Sequence, residues 1–215
     1  MTRWRVFGAL LAKAHRTGPW PVLGAAAALG LLAAGIPAAT GAQLDADNRD
    51  MLLRFTAASL ALGVTFSLDD AAAATTVSVP TPRLVRFLAG VVPGLAVAAL
   101  GWAAALVLAV LATPEAIRPQ LRVGGLTLEA VSMTACACAL AVVARVLGGP
   151  RAGIIAAPAL FGALIVGAAV RKVFVSPHSP QWIAVHQVWA AGMVVFVVAF
   201  LIACLDRRGS YQNEE

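Results

Sequence analysis

The last apolar run of the chain, from Trp182 to Leu205, carries no Asp, Glu, Lys or Arg and no proline. As a helix it reaches across the roughly 30 Å hydrocarbon layer of a bilayer, and in water it has no polar face to keep it in solution. Five further runs are long and largely apolar, at about Val22 to Ala38, Met51 to Leu68, Leu84 to Ala112, Leu126 to Leu147 and Ile154 to Val170. The third is long enough to include an interfacial turn before Pro93. With 60% hydrophobic and 12% charged residues and a mean hydropathy of +0.86, the composition lies outside that of soluble domains. Strands of an outer-membrane barrel alternate in polarity over about ten residues, whereas these runs are unbroken. The expected fold is therefore an all-α membrane protein with six transmembrane helices. Gly90 with Gly94, the alanines at 135, 139 and 141, and Gly162 with Gly167 offer close-packing surfaces between them.

Orientation follows from the basic residues near the span ends, because Lys and Arg are retained on the cytoplasmic side during insertion. With the N-terminus inside, Arg3, Arg5, Lys13, Arg16, Arg83, Arg86, Arg145, Arg151, Arg207 and Arg208 are cytoplasmic. Arg49, Arg54, Arg118, Arg122, Arg171 and Lys172 then lie outside or near the outer ends, together with the acidic run LDADNRD. The imbalance places both termini in the cytoplasm. It also accounts for the net charge of +6 as membrane-flanking cations, with no nucleic acid partner needed.

Before the first span, a helical wheel gathers Trp4, Phe7, Leu10, Leu11 and Ala14 on one face and Arg5, Lys13 and Arg16 on the other. Residues 1–19 are thus expected to form an amphipathic interfacial helix lying on the bilayer. Residues 20–205 form the six-helix domain and 206–215 a cytoplasmic tail.

No enzyme chemistry is legible. The two lysines, Lys13 and Lys172, do not follow a glycine, so no phosphate-binding loop is present, and no HExxH, GxSxG or GxGxxG pattern occurs. No catalytic, cofactor-binding or metal site is expected in the chain. Cys136, Cys138 and Cys204 read as small core residues, and Met133, Cys136 and Cys138 with His178 or His186 match no zinc or copper spacing. An intramembrane metal enzyme would require Glu129, Cys136 and His186 to converge. Glu129 has two readings. With Ser132 and Cys136 on the same helical face it is a candidate lining for a pathway between subunits; alternatively it is a first-turn acid in the headgroup region.

The link FSLDDAAAATTVSVPTPRLVRF, Phe66 to Phe87, falls on the cytoplasmic side between spans two and three. Ser67 and Asp70 have capping-box spacing, and Asp69 and Asp70 place negative charge before an alanine run. The prolines at 80 and 82 end that run by driving the residues before them into extended conformations. The expected product is a capped helix of about two turns that presses on a partner, or else a plain cytoplasmic turn.

This link resembles the LDD-x-AAAT…PTP cytoplasmic loop of membrane-spanning subunits of bacterial ABC transporters, in particular small six-helix permeases of exporter type. LDADNRDMLLRFTAASLALGV resembles their outer loop and second helix, and SPQWIAVHQVWAAGM the Trp-x3-His-x2-Trp start of their last helix. Ala71 departs from the family, where proline often follows the two aspartates. The resemblance implies a permease subunit in a bacterial plasma membrane, paired as a homodimer or heterodimer and docked on cytoplasmic ATPase subunits that hold ATP and Mg. It makes Asp69, Asp70, Ala73, Thr75 and Thr76 the coupling residues, and Trp4, Phe7 and Leu11 the interfacial anchor of an elbow helix. The alternative from another class is a non-transporting membrane assembly subunit that docks a cytoplasmic partner.

Overall fold

In the computed structural model, the described residues are 8, 12, 18–42, 45–69, 83–115, 118, 121–148, 151–170 and 173–205. The interfacial segment with Trp4, Phe7 and Leu11, the link residues Asp70, Ala73, Thr75 and Thr76, and the C-terminal tail lie outside them. The described residues form six long helices and no strand. These are α1 (Trp20–Thr40), α2 (Ala46–Thr65), α3 (Arg83–Leu111), α4 (Val123–Gly148), α5 (Ala152–Ala169) and α6 (Trp182–Cys204). A 3-10 turn, Phe66–Leu68, continues α2. All six are long and apolar enough to cross a membrane, so the chain is a multi-pass membrane protein by length and composition.

Local signals set the helix ends. Asp45 is extended, and its carboxylate accepts a hydrogen bond from the Asn48 amide at 2.8 Å, so α2 begins at Ala46. Hydropathy alone starts it at Met51, because ADNRD is too polar to read as a span. At the end of α1, Gly41 sits at φ 66°, the left-handed conformation that an L side chain resists, and its amide bonds to Pro37 O. Pro93 lies inside the continuous helix α3. Proline removes one ladder hydrogen bond and leaves the rest of a long helix intact.

The layers follow from polarity. Among the spans α2 is the least apolar, and 61% of its span window is buried, against 11% for α6. Lipid cannot hydrogen-bond to its Arg, Asp, Thr and Ser side chains, so α2 takes the centre with α4. α1 and α3 pack on one side of this pair and α5 and α6 on the other. Leu100, Ile183 and Ile202 point outward, as lipid-facing residues do. Close approach is made at glycines: Gly30 meets Thr56, Gly63 meets Ala26, and Gly90 and Gly94 receive the 3-10 turn at Leu68 and Ser67. Gly162, by contrast, faces open space, while Gly167 touches Val173.

Contacts at either extremity define two ends of the bundle. At the Asp45 end, Ser176 donates to Asp47 and Arg49 to Thr113. At the Asp69 end, the 3-10 turn lies against α3 and α5.

Candidate functional site

Arg54, Glu129 and His186 come from α2, α4 and α6, eight, six and four residues after the first residues of these helices. At 1.5 Å per residue they sit about 6 to 12 Å inside the Asp45 end, at comparable depth. Glu129 is 1% exposed, so it does not face the headgroup region. Arg54 holds it in a fork, with Nε to Oε2 at 2.7 Å and Nη2 to Oε1 at 3.0 Å. Two parallel charge-assisted bonds of this kind fix position as well as charge.

Arg54 also reaches across the bundle. Its Nη2 donates to Val175 O at 2.8 Å, and its guanidinium carbon lies 5.4 Å from the centre of the Phe174 ring. The segment before α6 is thereby pinned to α2. Trp189 adds a second pin, donating from Nε1 to Val173 O at 2.8 Å.

His186 closes the cluster. Its Nε2 lies 3.3 Å from Glu129 Oε1, and its Nδ1 lies 2.8 Å from Trp182 O. The imidazole stacks on Trp182 with centroids 3.9 Å apart, and Arg122 lies over the same indole. Gly125 makes room for this pair, since a Cβ there would strike the Trp182 ring and His186 Nε2. Ser132, one turn further along α4, has its Oγ 2.7 Å from Leu128 O and 3.1 Å from Trp189 O, so the two carbonyls share its one proton. It is completely buried. Glu129 and Ser132 therefore join α2, α4 and α6 inside one chain. Sequence marked Glu129 and set His186 beside it only as part of a metal site that would also need Cys136, while Arg54 entered only as a flanking cation.

A second polar group lies nearer the Asp45 end. Arg49 and Asp50 are buried, with Arg49 Nε 3.9 Å from Asp50 Oδ1 and Arg49 Nη1 donating to Thr113 Oγ1 at 3.2 Å. Arg49 and Thr113 line an open cleft with Pro37, Leu53 and Pro114.

At the opposite end, Asp69 Oδ1 accepts from the Gly153 amide at 2.8 Å. Arg151 supplies no side-chain cap to α5, so Asp69 serves that helix from a distance in sequence. Partial burial raises its pKa above the ordinary carboxylate value, against the lowering pull of the Gly153 and Ala152 amides and of Arg145 and Arg151. Ser67 departs from the capping-box expectation. Its hydroxyl is buried against Gly94 with no hydrogen-bond partner, because the residue still belongs to the helical end of α2.

Among the described residues, no group of three or more His, Cys, Asp or Glu side chains could hold a metal ion. Glu129 and His186 do meet, without a third such ligand. Comparison with protein-family models, curated proteins and solved structures finds no match to this chain.

Proposed function

We propose that the chain is the membrane-spanning permease subunit of a bacterial ATP-binding-cassette exporter in the plasma membrane. In this reading both termini and the 69–83 link are cytoplasmic, as the distribution of Arg and Lys favours. Two permease subunits, as homodimer or heterodimer, form the path between them, and separate ATPase subunits holding ATP and Mg dock below. The motif resemblance of the link, the second span and the start of the last span carries the family assignment.

The observation that best supports a coupling role is the position of Asp69. The link leaves the bundle where α2, α3 and α5 meet, with Asp69 bonded to the first turn of α5 and the preceding turn seated on Gly90 and Gly94. A load on residues 70–76 reaches three helices at once, and α2 conveys it to the Arg54 and Glu129 junction. Closure of the ATPase pair then tilts the spans as rigid bodies, a transition that needs no acid or base within the membrane.

Asp69 also holds α5, so charge reversal there disturbs the bundle itself. The informative variant is Asp70→Arg with Thr75→Arg, which leaves Asp69 in place. The wild-type chain is expected to co-purify with a soluble subunit carrying a phosphate-binding loop, and the variant to lose it while remaining folded. Absence of any such partner sinks the transporter reading and leaves the non-transporting assembly subunit. Labelling of Ser78→Cys from the cytoplasmic side is the accompanying topology check.

A further inference from the structure

The carbonyl oxygen of Trp182 can only accept a hydrogen bond, so His186 Nδ1, 2.8 Å away, carries a proton. The other ring nitrogen, Nε2, is buried and has no hydrogen-bond partner, yet Glu129 Oε1 stands 3.3 Å from it. Without a proton between them, both atoms present lone pairs to each other in a region from which water is excluded. With one on Nε2, a small rotation that brings Nε2 and Oε1 into line closes a hydrogen bond between them, while Glu129 remains the acceptor of Arg54. We propose that Glu129 Oε1 and His186 Nε2 form a proton-binding site whose occupancy sets how firmly Arg54 holds segment 173–181 against the bundle.

The proton comes from the aqueous phase and raises the charge of the site by one. Its loss turns the Nε2 lone pair toward the carboxylate, which moves away from His186, and Arg54 follows its carboxylate away from Val175 O. The charged neighbours are few. From α2 come Arg54, Asp50 and, beyond Asp50, Arg49; Glu129 comes from α4, and Arg122 precedes it. His186 is the contribution of α6, and the exposed His178 that of the described part of the loop. α1 and α5 contain no charged residue, and α3 contains none after Arg86. An ionisable group at membrane depth is by default a place to look for function, and a buried carboxylate with a histidine is a pair built to hold a proton.

The test is backbone hydrogen exchange at 173–181 in the full chain in lipid nanodiscs, corrected for intrinsic exchange, across roughly pH 5 to 8. Protection in the wild type is expected to fall severalfold as pH rises. Glu129→Gln should abolish the pH response, since its amide oxygen still accepts from Arg54 Nε and the amide facing Nε2 holds its hydrogens at every pH. A pH-independent wild-type segment, or an unchanged pH response in Glu129→Gln, overturns the proposal. Nitrogen NMR of the wild-type histidines decides the matter should the variant not fold: Nδ1 of His186 must stay protonated throughout while Nε2 exchanges its proton. The opposite tautomer overturns the proposal. None of these outcomes depends on an ATPase partner.

Discussion

The Asp69 carboxylate accepts the amide proton of Gly153 at 2.8 Å, so the residue that closes the end of α2 also caps the start of α5. Capping groups normally precede their helix directly; here the cap arrives from another span, and it ties two helices with one bond. Asp69→Asn keeps an acceptor oxygen and should cost little, whereas Asp69→Ala should cost about 0.5 to 2 kcal/mol. Equal losses in the two variants, measured by unfolding in micelles, exclude the capping role.

The same residue predicts a pH dependence. Burial raises the folded pKa of Asp69, so the folded state binds the proton more tightly than the unfolded one. Its contribution to stability is fully present below the unfolded value and is lost as pH rises through the raised folded value. Relative to Asp69→Asn, which does not titrate, the wild type should gain stability on acidification through that window. A difference that grows in favour of the wild type as pH rises contradicts the assignment.

Arg54→Ala leaves Glu129 buried without its cation and Val175 O without its donor, and should destabilise the bundle by about 3 to 5 kcal/mol. Replacing both charges, Arg54→Met with Glu129→Met, should recover most of that loss, because the penalty belongs to the stranded charge. Unfolding of the single and double variants in bicelles makes the comparison. A single variant within about 1 kcal/mol of wild type would falsify the view of Arg54 as the central joint.

Gly125→Ala introduces a Cβ into the space held by Trp182 and the His186 ring, 2.7 Å from Nε2. Overpacking of this kind costs about 1 to 3 kcal/mol. Gly124 is the internal control, since a Cβ there meets open space and alanine improves helix propensity by up to about 1 kcal/mol. Equal thermal shifts for the two alanine variants count against the α4 and α6 packing described above.

Thr56 Oγ1 lies 2.9 Å from both Gly30 O and Leu52 O, linking α1 to α2. Interhelical bonds of this type contribute about 0.6 kcal/mol in membranes, so Thr56→Val should be mild, measured by the same unfolding assay. Gly30→Ala should cost more, because its Cβ would lie 2.9 Å from the Thr56 methyl.

All six helices were legible in the chain because hydropathy reports what lipid will accept. The same signal misplaced the start of α2, since Arg49 and Asp50 are polar residues of a capped first turn that packs against protein. Glu129 stood out as an isolated acid in an apolar run, with His186 considered beside it only for a metal site that would also need Cys136, and Arg54 not at all. Arg54 is 75 residues away, and nothing in its own neighbourhood distinguishes it from a cation flanking a membrane. His186 lies inside an apolar helix whose local pattern says nothing about which neighbour it faces. Pairing across distant spans depends on helix rotation and depth, and neither is encoded in any one segment.

That separation has a consequence for how the protein is made. The second span leaves the ribosome without the Glu129 partner of Arg54, which follows only after a further 75 residues. A lone arginine near the middle of a span opposes partition into lipid by about 2.5 to 3.5 kcal/mol, diminishing toward the interface. The third span, free of charge after Arg86, is synthesised in that interval. Release of span two into the bilayer is therefore easiest once span four has arrived beside it, and the order of synthesis makes α2 and α4 a unit of insertion before they are the centre of a bundle.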